Sequence, residues 1–181
     1  MVVGKILCVI FLMSPWLYDD ESAEVQYIHA YQDLAIEAMR EYGIPASIKL
    51  AQALVESDAG RSVLAMRANN HFGIKCKSRW TGGQYFYADD DLDPTGRLTA
   101  SCFRIYDSAH QSFQDHSLFL KSSDRYDSLF SCALSDYHQW AIGLQECGYA
   151  TSPQYCKNLI RVIEKYRLFE LDQPIPDFSS E

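Results

Sequence analysis

The sequence predicts an α+β domain that is mainly helical, with one β-hairpin inserted between helical regions. Three observations carry this. Apolar residues recur at helical spacing on both sides of residues 80–106, whereas within that stretch aromatic and branched residues gather around a turn-like segment, 89–96. The length of 181 residues, with a hydrophobic share of 48% and an aromatic share of 13%, suits one domain with a substantial core and is short for two.

Residues 1–22 read as a signal-peptide-like segment. Lys5 precedes an apolar run over 6–13, too short to span a bilayer, and acidic residues follow from Asp19. Ser22-Ala23 is a weak cleavage candidate, and an ordinary buried strand is the alternative reading. The domain is expected over 23–171. Val25, Ile28, Leu34, Ile36, Ala38 and Met39 fit a first helix that Gly43 stops. Pro45 opens a second at its tolerated first position, with Ile48, Ala51, Leu54 and Val55 as an apolar face running to Glu56; Gly60 marks its end.

The hairpin strands are expected at 84–87 and 97–106, because Asp89–Asp91, Pro94 and Gly96 between them are turn residues. Ser108 is positioned to cap a helix carrying Phe113, Leu118 and Phe119. Ser135 is placed to cap one carrying Tyr137, Trp140, Ala141 and Leu144, and Ser152-Pro153 to start the last, with Tyr155, Leu159, Val162, Ile163 and Tyr166 inward. Residues 172–181, with two prolines and two serines, are expected to form a loose tail.

A net charge of -8 without a Lys/Arg cluster argues against nucleic acid as a partner. Of six cysteines, Cys8 lies in the leader-like segment, and no CxxC pair supports a zinc or thioredoxin-like site. Five cysteines in an exported chain suggest up to two disulfides. Cys76 and Cys102 flank the hairpin, which would bring them together, while the pairing of Cys132, Cys147 and Cys156 stays open.

HExxH, GxSxG, Walker and GxGxxG sequences are all absent, so no metal or cofactor is expected, and the five scattered histidines read as structural or surface residues. Glycoside cleavage needs an acid that stays protonated near neutral pH, which an apolar setting can make of a Glu. Glu56 qualifies by its place after Leu54-Val55, where an apolar helix meets the hairpin lobe. Across a scissile bond a second group must act as base, nucleophile or stabiliser of the developing cation. Asp89-Asp90-Asp91 is the nearest concentration of carboxylates, although such a run also serves as a solubilising turn.

The run YGIPASIKLAQALVESDAGRS, residues 42–62, resembles the segment with the catalytic glutamate in the flagellar-type N-acetylglucosaminidases, glycoside hydrolase family 73 of the lysozyme superfamily. NNHFGIK (69–75), CFRIYDS (102–108) leading to QDH (114–116), and GLQECGYATSPQY (143–155) follow in the family's order, so the resemblance covers about residues 27–168. It implies a lysozyme-like single domain with a hairpin lobe beside the catalytic helix. Glu56 falls on the catalytic glutamate and Tyr149 on a tyrosine that lines the cleft and assists catalysis. Asn70 and Phe72 fall on the motif that shapes the groove floor, and Trp140 on an aromatic of the helix behind Tyr149; both aromatics also read plainly as core. Many members carry a Glu on the hairpin opposite the acid, where this chain has Asp91 or Asp90, one methylene shorter.

The implied activity is that of a cofactor-free, monomeric endo-β-N-acetylglucosaminidase acting on peptidoglycan glycan strands in the periplasm or outside the cell, with no stable membrane insertion after processing. A muramidase or lytic transglycosylase of the same superfamily, and a non-catalytic wall-binding module, are the alternatives. With an acidic chain, affinity for a wall polymer has to come from groove shape, aromatic faces and hydrogen bonds.

Overall fold

The computed structural model describes residues 21–78, 80–92 and 96–173, with residues 89–92 described by their backbone. The leader-like residues 1–20 and the end of the tail lie outside them. Ser22 opens α1 (Ala23–Tyr42), its hydroxyl accepting from Val25 N, and Gly43 closes the helix in the left-handed conformation with its N–H on Met39 O.

α2 (Ala46–Glu56) is buried without interruption from Ala46 to Leu54, so its polar side chains must find partners inside the protein. Val55, expected inward, is exposed in the last turn. Pro45 stands at the N-cap and offers no side-chain acceptor. Asp172 takes that role from the other end of the domain: its carboxylate accepts from Ser47 N at 2.8 Å and from the Ser47 hydroxyl at 2.6 Å. Asp172 is buried and completes the 3-10 helix Leu168–Asp172, so it belongs to the domain and not to the loose tail expected from residue 172.

Asp58, Ala59 and Gly60 follow α2 in left-handed backbone, a sharp reversal stabilised by Gly60 N on Ser57 Oγ and Ala59 N on Leu54 O. A short helix, α3 (Val63–Ala68), is capped by Ser62. β1 (Gln84–Leu92) and β2 (Leu98–Arg104) form the antiparallel hairpin, paired from Gln84↔Arg104 to Ala88↔Ala100 and again at Leu92↔Leu98. The ladder is irregular between Ala88 and Leu92, as in a bulged strand. Residues 89–91 therefore lie in strand, not in the expected turn, because the Leu92↔Leu98 pair carries the ladder past them. Cys76 and Cys102 are joined in a disulfide, and Cys76 N donates to Cys102 O, so the segment before the hairpin is stitched to its second strand. Cys132, Cys147 and Cys156 are free thiols, one disulfide fewer than the expected maximum.

α4 (Ala109–Lys121) is capped by Ser108 and buries Phe113, His116 and Leu120; Leu118, expected inward, points out. After the 3-10 helix Asp124–Ser131 comes α5 (Tyr137–Glu146), whose cap is Asp136, one residue past the expected Ser135. α6 (Tyr155–Lys165) buries Tyr155, Leu159 and Ile163. α2 is the central element, packed against α1, α5, α6 and the 3-10 helix that ends at Asp172.

Candidate active site

Lys49, Gln52 and Glu56 fall at helical spacing along α2, a polar stripe on an otherwise apolar helix. Glu56, in the last turn, opens into a groove of about 550 Å³. Phe72, Ile74 and Phe103 give the groove an apolar floor, Tyr87 comes from the hairpin, and Tyr149 and Ala150 come from the loop after α5.

Glu56 is accessible from the groove, while the protein around it removes enough hydration to push its carboxyl up to about 7. The Tyr155 hydroxyl pulls the other way by hydrogen bonding to the carboxylate. Tyr155 accepts from Gln52 Nε2 at 3.0 Å, which leaves its own proton for Glu56. A carboxyl poised near neutrality at the wall of a groove is able to give up a proton as a general acid.

The loop bearing Tyr149 is held firmly. Gly148 takes the left-handed conformation, Tyr149 N donates to Leu144 O, and the Arg125 guanidinium donates to the carbonyls of Cys147 and Gly148. The Tyr149 ring stacks on Tyr155 with centroids 5.4 Å apart, and its hydroxyl lies 2.8 Å from His116 Nε2. Burial first, then the neighbouring Tyr155 and Glu56, keeps the Tyr149 phenol protonated far above its ordinary range.

Glu56, Tyr149 and Phe72 therefore meet at one groove. Trp140 does not reach it: the residue is fully buried against Phe130, so it supports the fold and cannot stack on a sugar. Asn70 is also buried, with its amide donating to Ile74 O and Arg104 O and its oxygen accepting from Ile74 N. Its polar capacity is spent on bracing the 70–74 turn against β2, so it shapes the floor without contacting substrate. The side chains of Asp90 and Asp91 lie outside those described, and their backbone lies in the irregular part of β1.

Sequence reasoning missed Gln52, Lys49 and His116, and took Tyr155 as core alone. The signal was present in the polar stripe on α2, since a lysine and a glutamine inside an apolar helix require internal partners. Among the described residues, no group of three or more His, Cys, Asp or Glu is arranged to hold a metal ion.

Residues 32–168 match the glucosaminidase family, described as mannosyl-glycoprotein endo-β-N-acetylglucosaminidase. The exo-glucosaminidase LytG of Bacillus subtilis is 31% identical over 166 residues, 90% of this chain and 57% of the relative. The peptidoglycan hydrolase FlgJ of Pseudomonas aeruginosa is 29% identical over 150 residues, 80% of this chain and 37% of the relative. The chain thus spans only part of the length of these relatives. Among solved structures, the peptidoglycan hydrolase from Sphingomonas sp. A1 superposes with a TM-score of 0.67 at 33% identity, covering 81% of this chain and 91% of that one. The glycoside hydrolase domain of Salmonella typhimurium FlgJ does so with a TM-score of 0.65 at 26% identity, covering 81% and 90%. The match over most of the chain, with a lysozyme-like fold around the Glu56 groove, shows that the chain belongs to the glucosaminidase family, glycoside hydrolase family 73.

Proposed function

We propose that the protein is a peptidoglycan hydrolase, an endo-acting N-acetylglucosaminidase that cuts the glycan strand after N-acetylglucosamine. The observation that carries this reading is the Glu56 carboxyl, pushed up to about 7 at the wall of the groove. Relatives named as glucosaminidases and peptidoglycan hydrolases support the choice of bond and polymer.

In the proposed reaction Glu56 gives its proton to the glycosidic oxygen as the C1–O bond breaks and positive charge grows on the sugar ring. Asp91 or Asp90 of the hairpin steers water or stabilises the cation, and Tyr149 positions the sugar. Water supplies the hydroxyl at C1, and its remaining proton is available to restore the acid. The reaction uses no cofactor. Its place is the periplasm or the exterior, reached through the signal-like leader; the Cys76–Cys102 disulfide suits an oxidising compartment, and no described helix is long and apolar enough to cross a membrane.

The test is mass spectrometry of digested peptidoglycan. Reducing N-acetylglucosamine ends on oligosaccharides support an endo-glucosaminidase. Released monosaccharide would indicate exo attack, muramic or anhydro-muramic ends would indicate a muramidase or lytic transglycosylase, and binding without new ends would indicate a wall-binding module. Glu56→Gln should lower the rate by about 10²- to 10⁴-fold.

A further inference from the structure

Behind the groove, Lys49 Nζ lies 2.7 Å from His116 Nδ1, and His116 Nε2 lies 2.8 Å from the Tyr149 hydroxyl. Lys49 and His116 are fully buried, and among the described residues no carboxylate acts on either. The His116 ring lies flat on Phe72, centroids 4.0 Å apart and planes 6° from parallel, so the chain of contacts runs directly beneath the groove floor. A lysine buried without a counter-ion is costly, and an apolar residue would fill the same space more cheaply. The reaction as described above uses neither Lys49 nor His116.

The chain can run in two directions, and the charge on Lys49 chooses between them. In one, Lys49 donates to Nδ1, the Nε2–H donates to Tyr149, and the phenolic proton is left for the groove. In the other, Nδ1–H donates to the lone pair of a neutral amine, and Tyr149 spends its proton on Nε2. The second requires an uncharged lysine and strands both of its N–H groups in apolar surroundings, whereas the first is the only one open to the charged amine. Burial holds Lys49 well below its ordinary range, but its Nζ lies 5.2 Å from the centroid of the Phe72 ring, whose face favours the charged amine, and for that amine only the first direction is open.

We propose that Lys49 and His116 are positioning residues that fix the Tyr149 hydroxyl as a hydrogen-bond donor into the groove, toward an oxygen of the bound sugar. The inference rests on the reading of the Glu56 groove as the active site. Glu56 takes its own hydrogen bond from Tyr155, so the Tyr149 proton is free for the substrate.

Long-range proton–nitrogen correlation on protein with labelled histidine tests the direction. His116, identified by its loss in His116→Asn, should show a protonated Nε2 and a bare, hydrogen-bonded Nδ1, and the Nδ1 signal should move downfield in Lys49→Met. A protonated Nδ1 in the wild type, or a signal indifferent to Lys49→Met, overturns the proposal. Kinetics provide the second arm. Lys49→Met should lower kcat about five- to tenfold with KM little changed, and should cost nothing further in a Tyr149→Phe background. An equal loss in both backgrounds would mark Lys49 as merely structural and also overturn it. If Lys49→Met does not fold, the wild-type tautomer decides alone. Full activity of Glu56→Gln would remove the catalytic reading while leaving the tautomer result standing, so the two failures are distinguishable.

Discussion

Gln52 and Tyr155 are joined by a hydrogen bond of 3.0 Å from the amide nitrogen to the phenolic oxygen, across α2 and α6. This leaves the Tyr155 proton facing Glu56 and partly offsets the effect of burial on the carboxyl. Tyr155→Phe removes that donor, so the Glu56 pKa should rise above its value of about 7. The basic limb of the kcat/KM profile should move to higher pH. A limb that stays in place or moves down would refute the arrangement.

Glu56 also links stability to pH. Its folded-state value of about 7 lies above the ordinary 4.5, so the stability it contributes is fully present below 4.5 and is lost as pH rises through 7. Glu56→Gln removes this loss, and the melting temperature of the variant minus that of the wild type should grow between pH 4.5 and 8. His71 behaves oppositely: burial lowers it to about 4 from 6.5, so its contribution is present above 6.5 and lost as pH falls through 4. Both proteins share that acid loss, and it cancels in the difference. A difference that does not vary with pH would contradict the linkage.

Asp172 supplies the cap that Pro45 cannot, holding the start of α2 through Ser47. Asp172→Ala leaves a buried backbone N–H and a hydroxyl without acceptor and should cost about 2–3 kcal/mol in urea denaturation. Asp172→Asn keeps an acceptor oxygen and should cost less. Equal stability of Asp172→Ala and the wild type would show that the contact carries no weight.

The disulfide ties the segment after Phe72 to β2 beside the groove. Replacing Cys76 and Cys102 by Ser should destabilise the fold by about 2–4 kcal/mol. Peptide mapping without reductant should find these two linked and Cys132, Cys147 and Cys156 as thiols. A different pairing would refute the assignment.

Features with a local or paired signature were legible in the sequence. Glu56 stood at the end of an apolar helix, and Cys76 and Cys102 stood on either side of a hairpin; each position implied its neighbours. The extent of β1 was not, because Asp89–Asp91 carry turn composition and only the pairing of Leu92 with Leu98 holds them in strand. Trp140 and Asn70 belonged to motifs near the groove, but a motif does not say which way a side chain points, and burial assigns both to its support. The pairing of Lys49 with His116 was hidden for a different reason. Lys49 stood out as a charge in an apolar helix, but its partner did not: the contact spans 67 residues and joins α2 to α4, which no local pattern reports.

The Ser47–Asp172 contact also orders events in time. It bridges 125 residues, so during synthesis Ser47, in the first turn of the helix that presents Glu56, has only water as acceptor until residue 172 has left the ribosome. The start of the helix that carries Glu56 is thus held by a residue made among the last of the domain, and its first turn waits on the far end of the chain.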